Sequence, residues 1–125
     1  MLQPLRVPSG WEIQWNLFYD LPPSRETIEA GMFADSQLLF WAVHPKRRFC
    51  LSMEWRWEPK PLGQFALDVL YAPRLLTPQG RQDKSSPLDF APKPVYQFEA
   101  SSHTVMANVI DEWLAQCVEL IHGPV

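Results

Sequence analysis

Alternation of apolar and polar residues predicts four β-strands. The clearest alternation is in RRFCLSMEWRWEPK (residues 47–60), where every second position is apolar: Phe49, Leu51, Met53, Trp55 and Trp57. WEIQWNLFYD (11–20), FALDVLY (65–71) and VYQFEA (95–100) have the same period. Successive side chains of a strand point to opposite faces, so each strand is predicted to have one apolar and one polar face. In the first strand, the predicted apolar face is Trp11, Ile13, Trp15, Leu17 and Tyr19.

A fifth strand is predicted from a different pattern. SQLLFWAVHP is apolar at every position from Leu38 to Val43, which is typical of a strand covered on both faces or placed in the centre of a sheet. The basic segment HPKRR (44–48) follows, with a proline suited to a turn. We therefore expect a solvent-exposed hairpin tip between this strand and the next. Its three basic residues could alternatively dock phosphate or nucleic acid.

Helical spacing dominates the C-terminal part, residues 102–122. Apolar residues recur there every three or four positions, which predicts an amphipathic helix, with Ser101 or Ser102 as its N-cap. The predicted apolar stripe is Val105, Met106, Val109, Ile110, Trp113, Leu114, Cys117, Leu120 and Ile121. A single helical turn is also predicted between Ser24 and Gly31.

These elements predict one α+β domain over residues 1–125. Consecutive strands with short connections pair as an antiparallel meander of about five strands, and the C-terminal helix covers the apolar sheet face. Residues 1–10 are interpreted as an N-terminal arm. Residues 73–94 contain five prolines and no period, which indicates a long loop. Its apolar residues are expected to attach it to the core: Leu75, Leu76, Leu88 and Phe90.

Composition narrows the function classes. The chain has 46% hydrophobic residues and a net charge of −3, which argues against a nucleic-acid partner because such proteins normally carry a basic surface. No run of 18 apolar residues is present, so we expect no spanning helix and no membrane partner. Cys50 and Cys117 are expected to be buried, reduced thiols, and the expected location is cytoplasmic.

The sequence contains no GxSxG, P-loop, GxGxxG, HExxH or paired CxxC motif, so we predict no catalytic residue, no cofactor and no metal. The predicted polar sheet face is more informative, because it gathers five carboxylates and one guanidinium. Its residues are Glu12, Gln14, Asn16, Glu54, Arg56, Glu58, Asp68, Gln97 and Glu99. Such a face can bind a basic protein partner, or it can simply be the solvated side of the sheet.

The segments GWEIQWNLFYD, LLFWAVHPKRRFCLSMEWRWEP, VLYAP, PLDF, FEA and the closing EWLAQC resemble a lineage of small bacterial proteins. In size, acidity and sheet-plus-helix layout, the chain resembles the immunity proteins of polymorphic and contact-dependent toxin systems. This resemblance implies a cytosolic protein without catalytic activity. Such a protein binds one cognate toxin domain, which can be basic, and blocks its active site.

Two other functions stay open from the sequence. One is a secretion chaperone or adaptor, since small acidic α/β proteins do that work. The other is a small enzyme or ligand-binding protein with a pocket under the 73–94 loop. The sequence is compatible with a monomer or a dimer.

Overall fold

The computed structural model describes residues 1–57 and 63–122, with side chains described to residue 116. The elements are β1 (Glu12–Asn16), α1 (Arg25–Glu29), β2 (Gln37–His44), β3 (Phe49–Arg56), β4 (Gln64–Tyr71), β5 (Tyr96–Ala100) and α2 (His103–His122). Non-helical backbone at Gln116 interrupts α2. Within this described part, the strands form an antiparallel sheet in the order β1-β2-β3-β4-β5. The predicted α+β fold, a five-strand meander with a C-terminal helix, is therefore confirmed.

The apolar face of β3 forms the centre of the core. Phe49, Leu51, Met53 and Trp55 are exposed by 1% or less, as the alternation predicts. Their neighbours in the register across β4 are Tyr71, Val69, Leu67 and Phe65 respectively. We call this side of the sheet the covered face, because both helices and the N-terminal arm pack against it.

Trp57 was wrongly predicted to belong to this apolar face. It lies beyond the end of β3 and is 48% exposed. Its indole Nε1 donates a hydrogen bond to the carbonyl of Phe33 at 2.9 Å. The strand ends before the alternating pattern does, so the last tryptophan falls outside the sheet.

The C-terminal helix α2 contacts β4 and β5. Met106, Ile110, Trp113 and Leu114 are buried, and the Trp113 ring lies 4.9 Å from that of Tyr96. Val105, predicted for the same stripe, is instead 45% exposed. The predicted side chains of Cys117, Leu120 and Ile121 lie outside the described residues.

Serine side chains begin both helices, as the sequence predicts. Ser102 Oγ accepts a hydrogen bond from the backbone N–H of Val105 at 3.3 Å, the usual role of an N-cap. Ser24 and Thr27 form a reciprocal capping box at the start of α1.

The N-terminal arm is fastened to the fold at several points. The backbone N–H of Gln3 donates to the carbonyl of Phe18 at 2.7 Å, and that of Arg6 donates to Asp111 Oδ1 at 2.8 Å. Farther along, Trp11 Nε1 donates to the carbonyl of Leu114 at 2.8 Å. These bonds join the arm to α2 and to the chain that follows β1.

The loop at 73–94 is attached by polar contacts rather than by leucines. Arg48, expected in an exposed turn, is buried, and its Nε donates to the carbonyl of Ala72 at 2.6 Å. Its two Nη atoms donate to the carbonyls of Ser86 and Pro87 at 3.3 and 2.6 Å. The leucines expected to attach the loop are exposed by 36–69%: Leu75, Leu76 and Leu88. The Arg48 side chain thus binds two carbonyls of the loop and a third at the residue before it.

Candidate functional site: the open sheet face

One row of side chains crosses the whole sheet on the side opposite the helices. The register pairs Trp15 with Trp41, Trp41 with Ser52, Ser52 with Asp68 and Asp68 with Gln97. Directly paired residues of an antiparallel sheet lie on the same face. We call this side the open face. It comprises the row just given together with Glu12, Glu54, Arg56, Gln64 and Glu99.

Charged and amide side chains on β3, β4 and β5 form a hydrogen-bonded network. Arg56 Nη2 and Nε each lie 2.7 Å from Glu54 Oε1, and Arg56 Nη1 lies 3.8 Å from Glu99 Oε1. Gln64 Nε2 donates to Glu99 Oε2 at 2.6 Å. These bonds restrain the carboxylates of Glu54 and Glu99.

A second amide contact extends this arrangement along the central row. Gln97 Nε2 donates to Asp68 Oδ1 at 3.0 Å. The Glu54 hydrogen bond, and then the negative charges of Glu54, Asp68 and Glu99, raise the pKa of Arg56. The guanidinium therefore stays charged, and its positive charge is shared among several carboxylates.

The predicted site residues of β3, β4 and β5 thus come together: Glu54, Arg56, Asp68, Gln97 and Glu99. Gln64 joins them although the sequence pattern did not select it. Its position opposite Arg56 in the register is the signal that identifies it. Glu58 was also predicted for this face, but it lies outside the described residues.

Two tryptophans occupy the other half of the open face. Trp15 of β1 and Trp41 of β2 are paired in the register and are 47% and 41% exposed. Trp15 Nε1 donates to the carbonyl of Leu38, and Trp41 Nε1 donates to Cys50 Sγ, both at 2.9 Å. Both indoles are thereby oriented while part of each ring surface remains accessible.

A β-bulge places Trp15 on the open face, contrary to the predicted apolar set of the first strand. The register shifts between Ile13 and Trp15, which leaves Gln14 as an extra residue within the bulge. An extra residue in one strand reverses the face of every side chain that follows it. The sequence prediction of a polar β1 face was therefore wrong from this point onward.

The same bulge separates the three β1 residues predicted for the polar face. Glu12 precedes it and pairs with Val43 on the open face. Gln14 lies in the bulge, and its Nε2 donates to Glu12 Oε2 at 3.3 Å. Asn16 pairs with the buried Phe40 on the covered face. Its Oδ1 accepts the backbone N–H of Phe18 at 3.0 Å, which is a local structural role.

Among described residues, the open face carries the carboxylates of Glu12, Glu54, Asp68 and Glu99 and the guanidinium of Arg56. Its formal charge is therefore −3, equal to the net charge of the whole chain. The described part of this surface is thus acidic.

Cys50 pairs with Val43 and Leu70 on the same side of the sheet, but it is only 2% exposed. Burial raises the pKa of its thiol to about 11, while the Trp41 hydrogen bond acts in the opposite direction. The thiol is therefore neutral at physiological pH and is a poor nucleophile.

Three further features of the described residues concern metal binding, membrane insertion and a histidine–aspartate contact. Across residues 1–57 and 63–116, no group of three or more His, Cys, Asp or Glu side chains is placed to hold a metal ion. Among the helices described, none combines the length and apolar character that crossing a membrane requires. His103 Nε2 lies 2.9 Å from Asp20 Oδ1 and links the start of α2 to the chain that follows β1.

The open face is thus an accessible surface that combines fixed carboxylates with two oriented indoles. Comparison with known proteins gives no match: no family model, no curated protein and no solved structure is significantly similar to the chain.

Proposed function

We propose that this protein is a non-catalytic binding module that docks a protein partner on its open face. In its most specific form, the proposal is an immunity protein that neutralises a cognate bacterial toxin by covering a basic active site. The observation that carries it is the cross-sheet row in which Trp15 and Trp41 lie next to a restrained acidic network.

The tryptophan pair supports binding through apolar contact. Indole rings supply large contact areas, and tryptophan is among the residues that contribute most to protein–protein affinity. Trp15 and Trp41 keep 47% and 41% of their surface accessible, although the core of the same molecule buries Trp55 completely. A partner that covers both rings removes this apolar surface from water.

The acidic network supports the choice of a basic partner. A concentrated negative surface steers a positive protein toward it and disfavours acidic competitors. Glu54 and Glu99 are already held by Arg56 and Gln64, so little side-chain conformational freedom is lost when the complex forms. A toxin site that binds phosphate groups carries the complementary positive charge.

Affinity capture from the native host tests this proposal with a matched pair of charge reversals. The test variant is Glu54→Lys with Glu99→Lys on the open face. The control is Glu26→Lys with Glu112→Lys, two exposed positions on α1 and α2 that give the same change in net charge. We expect wild type and control to retain one partner and the open-face variant to lose it, while melting curves show that all three proteins are folded at the temperature of capture. Equal capture by both variants would remove the open face from the account.

The identity of the captured protein separates the candidate functions. A toxin encoded next to this gene supports the immunity role, while a secreted effector supports the chaperone or adaptor. A small enzyme with a pocket under the 73–94 loop would instead retain its activity in the open-face variant.

A further inference from the structure

A cavity of about 570 Å³ lies beside the turn between β2 and β3. The described residues that line it are Ser9, Gly10, His44, Lys46 and Arg47. Its volume falls within the range of small-molecule sites, and two basic side chains line it in a protein whose net charge is −3. None of these residues belongs to the open face, so the cavity is independent of the proposed protein partner.

His44 presents a hydrogen-bond donor at this cavity. Its Nδ1 accepts the backbone N–H of Arg47 at 3.1 Å, so a neutral ring carries its proton on Nε2. Burial, followed by the nearby charge of Arg47, lowers the pKa of His44 and keeps the ring neutral. The Trp11 ring lies edge-on to the imidazole, with centroids 5.2 Å apart, and fixes its orientation.

Gly10 lets the backbone pass close to this donor. A Cβ at Gly10 would lie 2.5 Å from His44 Nε2, and the φ angle of +98° also disfavours other residues there. Within residues 1–57 and 63–116, the His44 ring makes one hydrogen bond, which Nδ1 accepts, and Nε2 makes none. The Nε2–H is therefore available to an acceptor that enters the cavity.

We propose that this cavity binds a phosphate group, either as the free ion or as the monoester of a small polar molecule. Lys46 and Arg47 supply the positive charge, and His44 Nε2–H and Ser9 Oγ supply neutral donors. Phosphate offers several acceptor oxygens to such a convergent set, and charge-assisted bonds from lysine and arginine are the stronger contacts. The polar lining favours an anion over an apolar ligand.

The test is a titration of the full-length protein with inorganic phosphate and, separately, with glycerol 3-phosphate. Sodium chloride keeps the ionic strength constant, so that general screening does not imitate binding. The readouts are calorimetric affinity and the NMR signals of the His44 ring nitrogens and the Gly10 amide. The variant is Lys46→Gln, and the matched control is Lys84→Gln, an exposed lysine of the 73–94 loop.

We expect the His44 and Gly10 signals to shift on titration, and K46Q to weaken binding by at least about fivefold. K84Q should bind as the wild type does. Tighter binding of glycerol 3-phosphate identifies a phosphomonoester ligand, and equal or weaker binding identifies the free ion. Absence of shifts at these residues with either probe, or equal affinities of K46Q and K84Q, would overturn the proposal. Loss of partner capture by the open-face variant would not affect this result.

Discussion

The two faces of β3 are held by different forces. On the covered face, Phe49, Leu51, Met53 and Trp55 are at most 1% exposed and contact apolar side chains from neighbouring elements. On the open face, Glu54 and Arg56 remain partly exposed and bond laterally along the sheet. Apolar burial on the covered face stabilises the fold, whereas exposed ion pairs contribute little to stability.

Under the proposed function, the covered face provides stability and the open face provides recognition. Side chains on the covered face cannot change without opening cavities in the core. Those on the open face can change at small cost to the fold, which leaves them free to match a partner. The predictions below test this division, beginning with the largest expected effect.

Replacing Trp113 by alanine should destabilise the protein by about 3–5 kcal/mol, because it removes a buried aromatic ring from the covered face. Trp113 is 4% exposed and contacts the ring of Tyr96. Urea unfolding monitored by circular dichroism measures the change. A loss below about 1 kcal/mol would show that α2 contributes little to the covered face.

Cys50 should react slowly with thiol reagents although it lies on the open side of the sheet. With a thiol pKa near 11, we expect its rate at pH 8 to be on the order of 100-fold below that in urea. Reaction with Ellman's reagent in a Cys117→Ser background isolates this thiol. Rapid native labelling would contradict the burial of Cys50 beneath Trp41.

Trp41→Ala should cost about 1–2 kcal/mol, less than Trp113→Ala, because 41% of Trp41 is already exposed. The substitution also removes the indole that bonds to Cys50 Sγ, so labelling of Cys50 should accelerate. Chemical denaturation and thiol labelling are measured on the same sample. The loss in binding free energy for the partner should exceed the loss in the free energy of unfolding. A stability loss equal to that of Trp113→Ala would place Trp41 in the core.

Glu54→Gln should change the free energy of unfolding by less than about 1 kcal/mol, because the ion pair with Arg56 is partly exposed. The same substitution should weaken partner binding, since it removes a negative charge from the centre of the acidic network. Thermal melting measures the change in stability, and binding calorimetry measures the change in partner affinity. A large loss of stability with unchanged binding would reverse the assigned roles of the two faces.

Sequence patterning predicted the fold and the acidic half of the open face well, because β3, β4 and β5 alternate without interruption. Phe49 through Trp55 and Phe65 through Tyr71 were assigned to the correct faces. Once the meander is assumed, regular alternation in adjacent strands brings Glu54, Asp68 and Glu99 together. No long-range information was needed for that step.

The aromatic half of the site was missed because a bulge depends on pairing and not on the strand alone. WEIQWN alternates regularly, and the shift at Gln14 appears only when β1 is aligned with β2. For the same reason, Asn16 was assigned to the wrong face. Arg48 was missed because its three carbonyl acceptors come from residues 24 to 39 positions away.

Photocross-linking in the native host tests the central claim most directly. One variant carries a photoreactive amino acid at Ser52, which lies between Trp41 and Asp68 in the cross-sheet row. The control carries it at Val105, which is 45% exposed on α2. We predict that one partner is cross-linked from position 52 and not from position 105. Cross-linking of that partner only from position 105 would contradict the assignment of the open face as the binding surface.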